Sequence, residues 1–580
     1  MSGARDAAAR ERGGGGGAGD GAARERGGGG GGAGDGAARE HGSLVAGRET
    51  ATAAETFTAF DPRTGRPSPL RFREASAADV AAAAEAAAVA FRAVREWPPE
   101  RFGRLLRGVA TELERAERPL LATADGETAL GTVRLRGELA RTTGQLRAFA
   151  AHVESGAHLD VIVAPPRPDA EPPQPDLRRM LVALGPVAVF EASNFPFAFG
   201  VAGGDTAAAL AAGCPVVVKA HEAHPATAHL CAAAVTAAVA AAGAPPGLFS
   251  LLHGRSHAVG RALVEAPEIA AVGFTGSSAG GRALLDAAAR RPQPIPVYAE
   301  MGSVNPLLVT AAALAERGTA IADGLADSIA LGAGQFCTSP GLVLVPHGAD
   351  GDAFAARLAT ALDGRAVGAL LTAGMRDRLV RDVAALSARE DVTLLAGDRG
   401  ADGGGADGAA PGGFRFTPAL LSADAEALVR DPALADEHFG PVALVLRYDG
   451  GSGAARALAA LPGQLTVTLH AGAQELAEPE RSGLAALQRL AVERAGRIVW
   501  NGYPTGVAVV AAMQHGGPYP AASTSLHTSV GLTAIRRFQR PVVFQDAPAA
   551  LLPPALRNAA TNYTNLTIGG LDTAIRQRGE

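Results

Sequence analysis

Cys337 stands in a setting that suits a reactive thiol. It lies in the segment GQFCTSP, residues 334–340, among small and polar residues and near a predicted helix end. A thiolate close to a helix N-terminus is stabilised and nucleophilic. Cys214 and Cys231 lie in apolar segments, where a thiol is usually an inert part of the core. The motif alone makes Cys337 the candidate nucleophile, and a buried structural cysteine is the alternative.

The spacing of the three cysteines gives no sign of a metal site. No two of them lie two to four residues apart, and no paired histidines flank them, as a structural zinc site requires. An odd and sparse set of cysteines predicts reduced thiols and a cytoplasmic setting. We therefore expect chemistry without a metal ion.

Lys219 is the only lysine among the 53 lysine and arginine residues of the chain. It ends a β-branched strand in the segment PVVVKAHE, residues 215–222, at the edge where α/β sheets bind ligands. Lys219 can contact a ribose hydroxyl or a phosphate, and Glu222 can accept both hydroxyls of an adenosine ribose. A surface lysine beside a glutamate at a helix N-terminus is the alternative.

A second candidate for cofactor binding is the segment FTGSSAGG, residues 274–281. It follows a predicted strand and opens a helix, so free N–H groups and the positive helix end suit a pyrophosphate. Gly276, Ser277 and Gly281 are the candidate contacts. The spacing differs from the GxGxxG fingerprint, so an ordinary glycine-containing turn is the alternative.

Alternating strands and helices must position these residues. Five short apolar runs, most of them separated by Ala-rich helical stretches, predict a doubly wound parallel sheet. The predicted strands are 186–191, 215–221, 248–252, 270–274 and 295–298. After about residue 302 another α/β block follows, interrupted by a Gly-rich loop at 397–413.

Helical signals dominate before the sheet. Ser76 is predicted to cap a helix over 77–95, and a second helix fits 100–118. Residues 164–176 are Pro-rich and predict a linker between structured parts. Residues 1–48 repeat a Gly-rich unit that buries too little apolar surface to offset its ordering entropy, which predicts a disordered arm.

Composition and charge argue against several classes of protein. The net charge is −5, with 19% charged and 47% hydrophobic residues, so no basic surface for nucleic acid or an anionic membrane is expected. No uninterrupted apolar stretch of about 18 residues predicts a membrane helix, and the N-terminus shows no signal segment. A chain of 580 residues predicts two or more domains.

Six segments, in order, resemble the aldehyde dehydrogenase superfamily. They are NFP at 194–196, VK at 218–219, FTGS at 274–277, EMGSVNP at 300–306, GQFC at 334–337 and EHFGP at 437–441. The resemblance covers roughly residues 55–545. It implies an α/β fold and a homodimer or homotetramer. The implied parts are a Rossmann-like NAD(P)-binding domain (49–152 and 181–301), an α/β catalytic domain (302–539) and a small bridging β element (153–180 and 540–580).

The resemblance also implies a role for each matching residue. Cys337 would attack the aldehyde carbon, and the Asn194 amide and the Cys337 backbone N–H would hold the oxyanion. Glu300 would activate the water that hydrolyses the resulting thioester. Glu437 would bind the nicotinamide ribose, and Phe439 would pack beside it. The implied reaction is NAD(P)-dependent oxidation of an aldehyde to a carboxylate.

Further segments are similar to the subgroup that oxidises 2,5-dioxopentanoate to 2-oxoglutarate, and also to long-chain fatty aldehyde dehydrogenases. They are EASNFPFAF at 191–199, GGDT at 203–206, PIPVYAEMGS at 294–303 and HGGPYP at 515–520. One of Arg141 and Arg147, on one predicted helix, is the candidate for binding the distal carboxylate of the substrate, and surface solvation or an interdomain salt bridge is the alternative for both. Leu526 departs from the subgroup, where an arginine often stands, and this departure favours a more apolar aldehyde.

Glu222 favours NAD over NADP, because a 2′-phosphate beside it would meet a like charge. The alternatives are a fatty aldehyde dehydrogenase, a CoA-acylating dehydrogenase, a thiol hydrolase and an inactive structural homologue. Members of the CoA-acylating kind generally lack the glutamate found here at 300. A hydrolase needs a Cys–His pair, and no motif ties a histidine to Cys337.

Overall fold

The computed structural model describes residues 40–52, 54–398 and 412–557, together with the backbone strand Thr567–Ile568. Most of the arm at 1–48 and of the loop at 397–413 therefore lies outside the described residues. The prediction of disorder is wrong for the end of the arm, because residues 40–49 include three short strands. These strands join two sheets, in which their backbone groups find hydrogen-bonding partners.

The described residues contain 21 strands. In chain order they are β1 (Glu40–His41), β2 (Leu44–Val45), β3 (Arg48–Glu49), β4 (Thr56–Phe57), β5 (Arg71–Arg73), β6 (Ile162–Ala164), β7 (Leu177–Ala183), β8 (Val187–Phe190), β9 (Val216–Lys219), β10 (Phe249–Leu252), β11 (Ala271–Thr275), β12 (Val297–Glu300), β13 (Leu307–Val309), β14 (Leu342–Pro346), β15 (Val392–Ala396), β16 (Ala419–Asp424), β17 (Val442–Tyr448), β18 (Gln464–His470), β19 (Ala495–Trp500), β20 (Gln539–Gln545) and β21 (Thr567–Ile568).

The same residues contain 15 α-helices, and none of them is long and apolar enough to span a membrane. They are α1 (Ala77–Val94), α2 (Pro99–Arg115), α3 (Glu117–Thr128), α4 (Thr132–Glu154), α5 (Gly204–Ala212), α6 (Pro225–Ala241), α7 (His257–Glu265), α8 (Ser278–Ala289), α9 (Ala311–Ala330), α10 (Ala349–Asp363), α11 (Ala373–Ser387), α12 (Ala425–Arg430), α13 (Gly450–Ala460), α14 (Ala473–Ala477) and α15 (Leu484–Arg494).

The first large sheet has seven strands in the order β12–β11–β8–β9–β10–β2–β3. Strands β8 to β12 pair in parallel, which confirms the five predicted strands, and β2 and β3 add an antiparallel edge. Helices α2, α4 and α6 pack on one face and α1, α7 and α8 on the other. A parallel sheet covered on both faces reads as continuous apolar runs, as in β8 and β9.

Of the two helices predicted before this sheet, α1 has its predicted cap and α2 ends earlier than predicted. Ser76 caps α1 as predicted, because its hydroxyl accepts the Asp79 N–H while the Asp79 carboxylate accepts the Ser76 N–H. The helix predicted over 100–118 is too long. It ends at Arg115, because Ala116 leaves helical geometry and a separate helix, α3, follows.

The second large sheet has the order β15–β16–β17–β14–β13–β18–β19 and is parallel except for its edge strand β15. The chain passes from β12 in the first sheet to β13 in the second across residues 301–306. This short passage carries the segment MGSVNP. The end of β12 is therefore tied closely to the start of the second sheet.

A four-stranded sheet, β20–β7–β6–β21, is formed by the segments predicted to bridge subunits. The Pro-rich residues 164–176 are not a linker between separate parts, because β6 and β7 pair directly as an antiparallel hairpin around them. Backbone hydrogen bonds between Arg167 and Gln174 pair the two arms of that hairpin closer to its tip. The assignment of these segments to subunit contacts stays a prediction, as does the division of the chain into domains.

Candidate active site

The loop of Cys337 is fixed by its backbone and by one amide. It follows α9 through a 3-10 turn, Leu331–Gly334, and a Cβ on Gly334 would lie only 2.2 Å from neighbouring backbone. The Asn305 side-chain amide donates to the carbonyl oxygens of Cys337, at 2.8 Å, and Ser339, at 2.9 Å. The thiol lies in a turn after a helical segment, so the expected stabilisation by a helix N-terminus is not found.

His515 is the residue that the sequence analysis missed. Its Nε2 atom lies 3.3 Å from the Cys337 Sγ atom and 3.0 Å from the Glu300 Oε1 atom. The backbone N–H of His515 donates to the Thr528 hydroxyl, which fixes the segment. The statement that no histidine is tied to Cys337 is therefore wrong. The available signal is the HGGPYP segment, which the resemblance to the subgroup singles out without giving His515 a role.

Glu300 ends β12 and is buried beside His515. Its Oε2 atom accepts a hydrogen bond from the Ser529 hydroxyl. Burial acts to raise the pKa of Glu300, but the charge that His515 carries once it is protonated and hydrogen bonds with His515, Ser529 and Cys337 outweigh it and lower that pKa. Glu300 is thus held as a carboxylate, the form that a base requires.

The Cys337 thiol is held in its protonated form in this arrangement. Removal from solvent raises its pKa well above the usual range, and the negative charge of Glu300 raises it further. Arg141 acts in the opposite direction. His515 Nε2 is placed to accept the thiol proton, and the resulting imidazolium would lie between the thiolate and the Glu300 carboxylate.

Asn194 lies in the loop after β8 and is buried. Its side-chain amide donates to the carbonyl oxygen of Gln335 at 2.9 Å, two residues before Cys337. Arg134 donates to the Asn194 backbone carbonyl at 2.8 Å and holds that loop against α4. An amide has two N–H donors, so one is left for a substrate oxygen.

The structure separates the two arginines proposed to bind substrate. Arg147 forms a bidentate pair with Glu114 on the surface, at 2.5 and 2.7 Å, so its assignment to the substrate is wrong. Arg141 is shielded from solvent, which lowers its pKa, and the charges of Glu138, Cys337 and Glu300 act to raise it. Arg141 is thus the arginine of this pair that lies within electrostatic range of the catalytic groups.

Lys219 and Glu222 lie together at the carboxyl edge of the first sheet, as predicted from β9. Burial lowers the pKa of Lys219, and the charges of Glu222 and Glu191 oppose that change. Glu222 has a partner that the sequence analysis did not consider, because Nε of Arg255 lies 3.6 Å from its Oε2 atom. This end of the site therefore carries both an acidic and a basic group.

The FTGSSAGG segment joins β11 to α8, as the sequence predicts, but its glycines differ in their surroundings. Ser277 caps α8 and accepts the Gly280 N–H at 3.2 Å. The Gly276 N–H donates to the backbone of Glu300. The Gly281 N–H is used inside the helix, and a Cβ there would lie 2.5 Å from the Met301 sulfur, so close packing explains that glycine.

Glu437 and Phe439 line one pocket of about 310 Å³ with residues of the Cys337 loop. Glu437 accepts the Ser303 N–H at 3.4 Å, and burial raises the pKa of Glu437 to about 7. A carboxyl group with such a pKa can both donate and accept, which suits a ribose hydroxyl. Gly302 leaves room for it, since a Cβ would lie 2.7 Å from Glu437 Oε2.

A cysteine and a buried glutamate brought together where two largely parallel sheets meet fit the aldehyde dehydrogenase class. The aldehyde dehydrogenase family model matches residues 49–517, and the chain belongs to this family. It is 48% identical over 519 residues to alpha-ketoglutaric semialdehyde dehydrogenase 2 of Azospirillum brasilense, covering 89% of this chain and 96% of the relative. It is 38% identical over 532 residues to alpha-ketoglutaric semialdehyde dehydrogenase of Acinetobacter baylyi, covering 91% and 98%.

Solved structures share the fold at lower identity. The crystal structure of PnpE from Pseudomonas sp. WBC-3 has a TM-score of 0.72 and 23% identity, covering 88% of this chain and 98% of that chain. PnpE has also been solved in complex with nicotinamide adenine dinucleotide, with a TM-score of 0.72 and 23% identity, covering 87% and 98%. At this identity the likeness shows the fold alone.

The raised pKa of Cys337 predicts how its alkylation responds to nearby charge. In Glu300→Gln the negative charge is gone, the thiol pKa falls, and the rate of reaction with iodoacetamide at neutral pH should rise severalfold. The rate–pH profile, measured by loss of free thiol, should move to lower pH. Glu437→Gln is the matched control, because Glu437 contributes less and should cause a smaller shift in the same direction. An unchanged profile in Glu300→Gln would contradict this account.

Proposed function

We propose that the enzyme oxidises 2,5-dioxopentanoate to 2-oxoglutarate with NAD(P) as its cofactor. The observation that carries the proposal is one cluster in which the Cys337 thiol and the Glu300 carboxylate share the His515 imidazole. The charge of Arg141 acts on both of these groups. The two similar dehydrogenases named for alpha-ketoglutaric semialdehyde support this choice of substrate.

The first step is attack of Cys337 on the aldehyde carbon. The thiol proton passes to Nε2 of His515 at 3.3 Å, and a C–S bond forms as the carbonyl becomes an oxyanion. The Asn194 amide and the Cys337 backbone N–H are proposed to hold that oxygen. Loss of one such donor typically costs about 2.7–4 kcal/mol of transition-state stabilisation.

A bound nicotinamide would supply the acceptor for the hydride that leaves the substrate carbon. Cys337 then carries the acyl group as a thioester. Glu300, kept ionised by Ser529 and His515, removes a proton from the attacking water. The C–S bond breaks, the carboxylate leaves, the sulfur takes its proton back from His515, and Glu300 releases the proton of the water to solvent.

The cofactor residues fit a nucleotide by their own chemistry. Lys219 and Glu222 offer a cation and an acceptor to the adenosine ribose, and the N-terminus of α8 after Gly276 and Ser277 suits the pyrophosphate. Glu437 and Phe439 share a pocket suited to the nicotinamide ribose. Gly276 and Gly281 stay predictions of lesser support, since the N–H of Gly276 is used by the Glu300 carbonyl and that of Gly281 within α8.

The same residues argue against two competing functions, a CoA-acylating dehydrogenase and a thiol hydrolase. A CoA-acylating dehydrogenase has no need of Glu300, which is retained here as a buried carboxylate. The Cys337–His515 contact supports a thiol hydrolase. A hydrolase, however, would have no use for the pocket lined by Glu437 and Phe439. Leu526, whose identity favoured an apolar aldehyde, is 83% exposed, so Arg141 is the better candidate for the substrate carboxylate.

The assembly and location of the enzyme extend the same proposal. We propose a homodimer or homotetramer formed through the four-stranded sheet that contains β7 and β20. We propose a cytoplasmic setting because the three cysteines are all free thiols.

Glu300→Gln should separate hydride transfer from thioester hydrolysis. The variant should give one burst of absorbance at 340 nm with 2,5-dioxopentanoate and NAD, followed by a steady rate reduced by about two orders of magnitude or more. Stopped-flow absorbance measures both phases, and mass spectrometry should find the acyl group on Cys337. A full steady-state rate would mean that another base acts.

The pair Arg141→Leu and Arg147→Leu tests the substrate carboxylate. Loss of a charge-assisted hydrogen bond of about 1.5–3 kcal/mol should lower kcat/KM for 2,5-dioxopentanoate by roughly tenfold to a hundredfold in Arg141→Leu. The rate with propanal should change far less. Arg147→Leu, on the same helix, should leave both rates unchanged. A wild-type enzyme that prefers hexanal or longer aldehydes over 2,5-dioxopentanoate would favour the fatty aldehyde alternative.

Glu222 and Arg255 together should set the choice between NAD and NADP. The wild type should prefer NAD, and Glu222→Gln should raise kcat/KM for NADP by on the order of tenfold, because the like charge is removed. Arg255, released from its 3.6 Å pair, is then free to bind the 2′-phosphate. The double variant with Arg255→Gln should lose that gain. A wild type that prefers NADP would contradict the role given to Glu222.

A further inference from the structure

A second cluster of ionisable side chains shares no residue with the site of Cys337. His41 ends β1, Glu49 ends β3, His229 lies in α6, and His253 follows β10. The four residues therefore join the short N-terminal strands to the first large sheet and one of its helices. The chain has 13 histidines, and three of them gather here.

The ligand atoms of this cluster already face one another. One carboxylate oxygen of Glu49 lies 3.3 Å from Nδ1 of His41. One atom each of His41, Glu49 and His229 lies within 4.8 Å of the other two. Imidazole nitrogen and carboxylate oxygen bind zinc at roughly 2.0–2.2 Å, so the three side chains would close on an ion by rotation.

The surrounding contacts hold these side chains in position before any ion is bound. The Gly42 N–H donates to Oε1 of Glu49 at 2.8 Å, and the His41 ring stacks on Phe72 with ring centroids 5.7 Å apart. His229 Nδ1 lies 3.2 Å from Nε2 of His253, which is fully buried. A metal-binding histidine commonly uses its second ring nitrogen in this way, to fix its orientation.

A buried ring nitrogen that makes no hydrogen bond also indicates that a ligand binds here. Nδ1 of His41 is buried and makes no hydrogen bond of good geometry within the described part of the chain, although a Glu49 carboxylate oxygen lies 3.3 Å away. A buried polar atom without a partner costs free energy, so such atoms are rare in folded proteins. A bound cation would supply the missing partner for that nitrogen.

We propose that His41, Glu49 and His229 bind one divalent transition-metal ion of the zinc type, with water in the remaining position. Two imidazoles and one carboxylate form a nitrogen and oxygen ligand set that suits Zn²⁺, Co²⁺ or Ni²⁺ better than Ca²⁺ or Mg²⁺. The ion would fasten β1 and β3 to α6. Its role is structural, and it takes no part in aldehyde oxidation.

The test is zinc binding to the full chain in a Cys337→Ala background. This background is needed because Glu300, Cys337 and His515 also bring three ligand atoms within 4.8 Å of one another. Chelator-treated protein, titrated with Zn²⁺ against a chromophoric competitor, should bind one equivalent. His41→Gln and Glu49→Gln should each weaken that binding by about tenfold or more. His347→Gln is the matched control, because His347 also lies 3.2 Å from a carboxylate, that of Asp424, without a third ligand, and it should leave binding unchanged.

A second measurement guards against variants that do not fold. Zn²⁺ should raise the thermal midpoint of the Cys337→Ala protein, since an ion that binds only the folded state stabilises it, and should not raise that of Cys337→Ala/Glu49→Gln. Glu49 is 43% exposed, so its replacement should leave the metal-free midpoint unchanged. Absence of the stoichiometric zinc, or equal affinity in the His41→Gln and Glu49→Gln variants, would overturn the proposal. Neither result bears on the aldehyde activity, which is measured separately.

Discussion

One imidazole nitrogen lies between the two side chains that are proposed to begin and end the reaction. Nε2 of His515 is within hydrogen-bonding distance of the Cys337 sulfur and of the Glu300 carboxylate. Two negative charges this close would repel each other, and the raised pKa of Cys337 expresses that repulsion as well as its enclosure. In the proposed mechanism, protonation of His515 as the thiol ionises places a positive charge between them, so the thiolate can form while Glu300 stays ionised.

Three distant parts of the chain must meet for this contact to exist. Glu300 comes from the end of a strand in the first sheet, Cys337 from the turn before the second strand of the next sheet, and His515 from the segment after β19. The passage of only six residues between β12 and β13 fixes the relation of the two sheets. Asn305, within that passage, binds the carbonyl of Cys337 directly. The same few residues thus connect the sheets and position the nucleophile.

Local patterns predicted what depends on local structure. The five strands of the first sheet and the cap at Ser76 follow from apolar runs and from a side chain that can bond its own helix end. The His515 contact could not be predicted in this way, because 178 residues separate it from Cys337 and periodicity carries no information on such pairs. Arg141 and Arg147 lie on one helix, and only tertiary burial shows which of them faces a neighbour in the interior. Residues 40–49 were missed because they gain their order from strand pairing with distant segments.

Because Lys219 is the one lysine in the sequence, reagents that modify amino groups can address a single side chain of this enzyme. That side chain lies at the carboxyl edge of the first large sheet, at the end of β9. Burial lowers its pKa, so a larger share of the amine is neutral and nucleophilic than in an exposed lysine. Given the proposed contact of Lys219 with the cofactor, the rate at which an amino-group reagent modifies Lys219 would report whether a nucleotide is bound. For the same reason, dialdehyde cross-linkers would join few subunits, and the size of the assembly is better measured by mass.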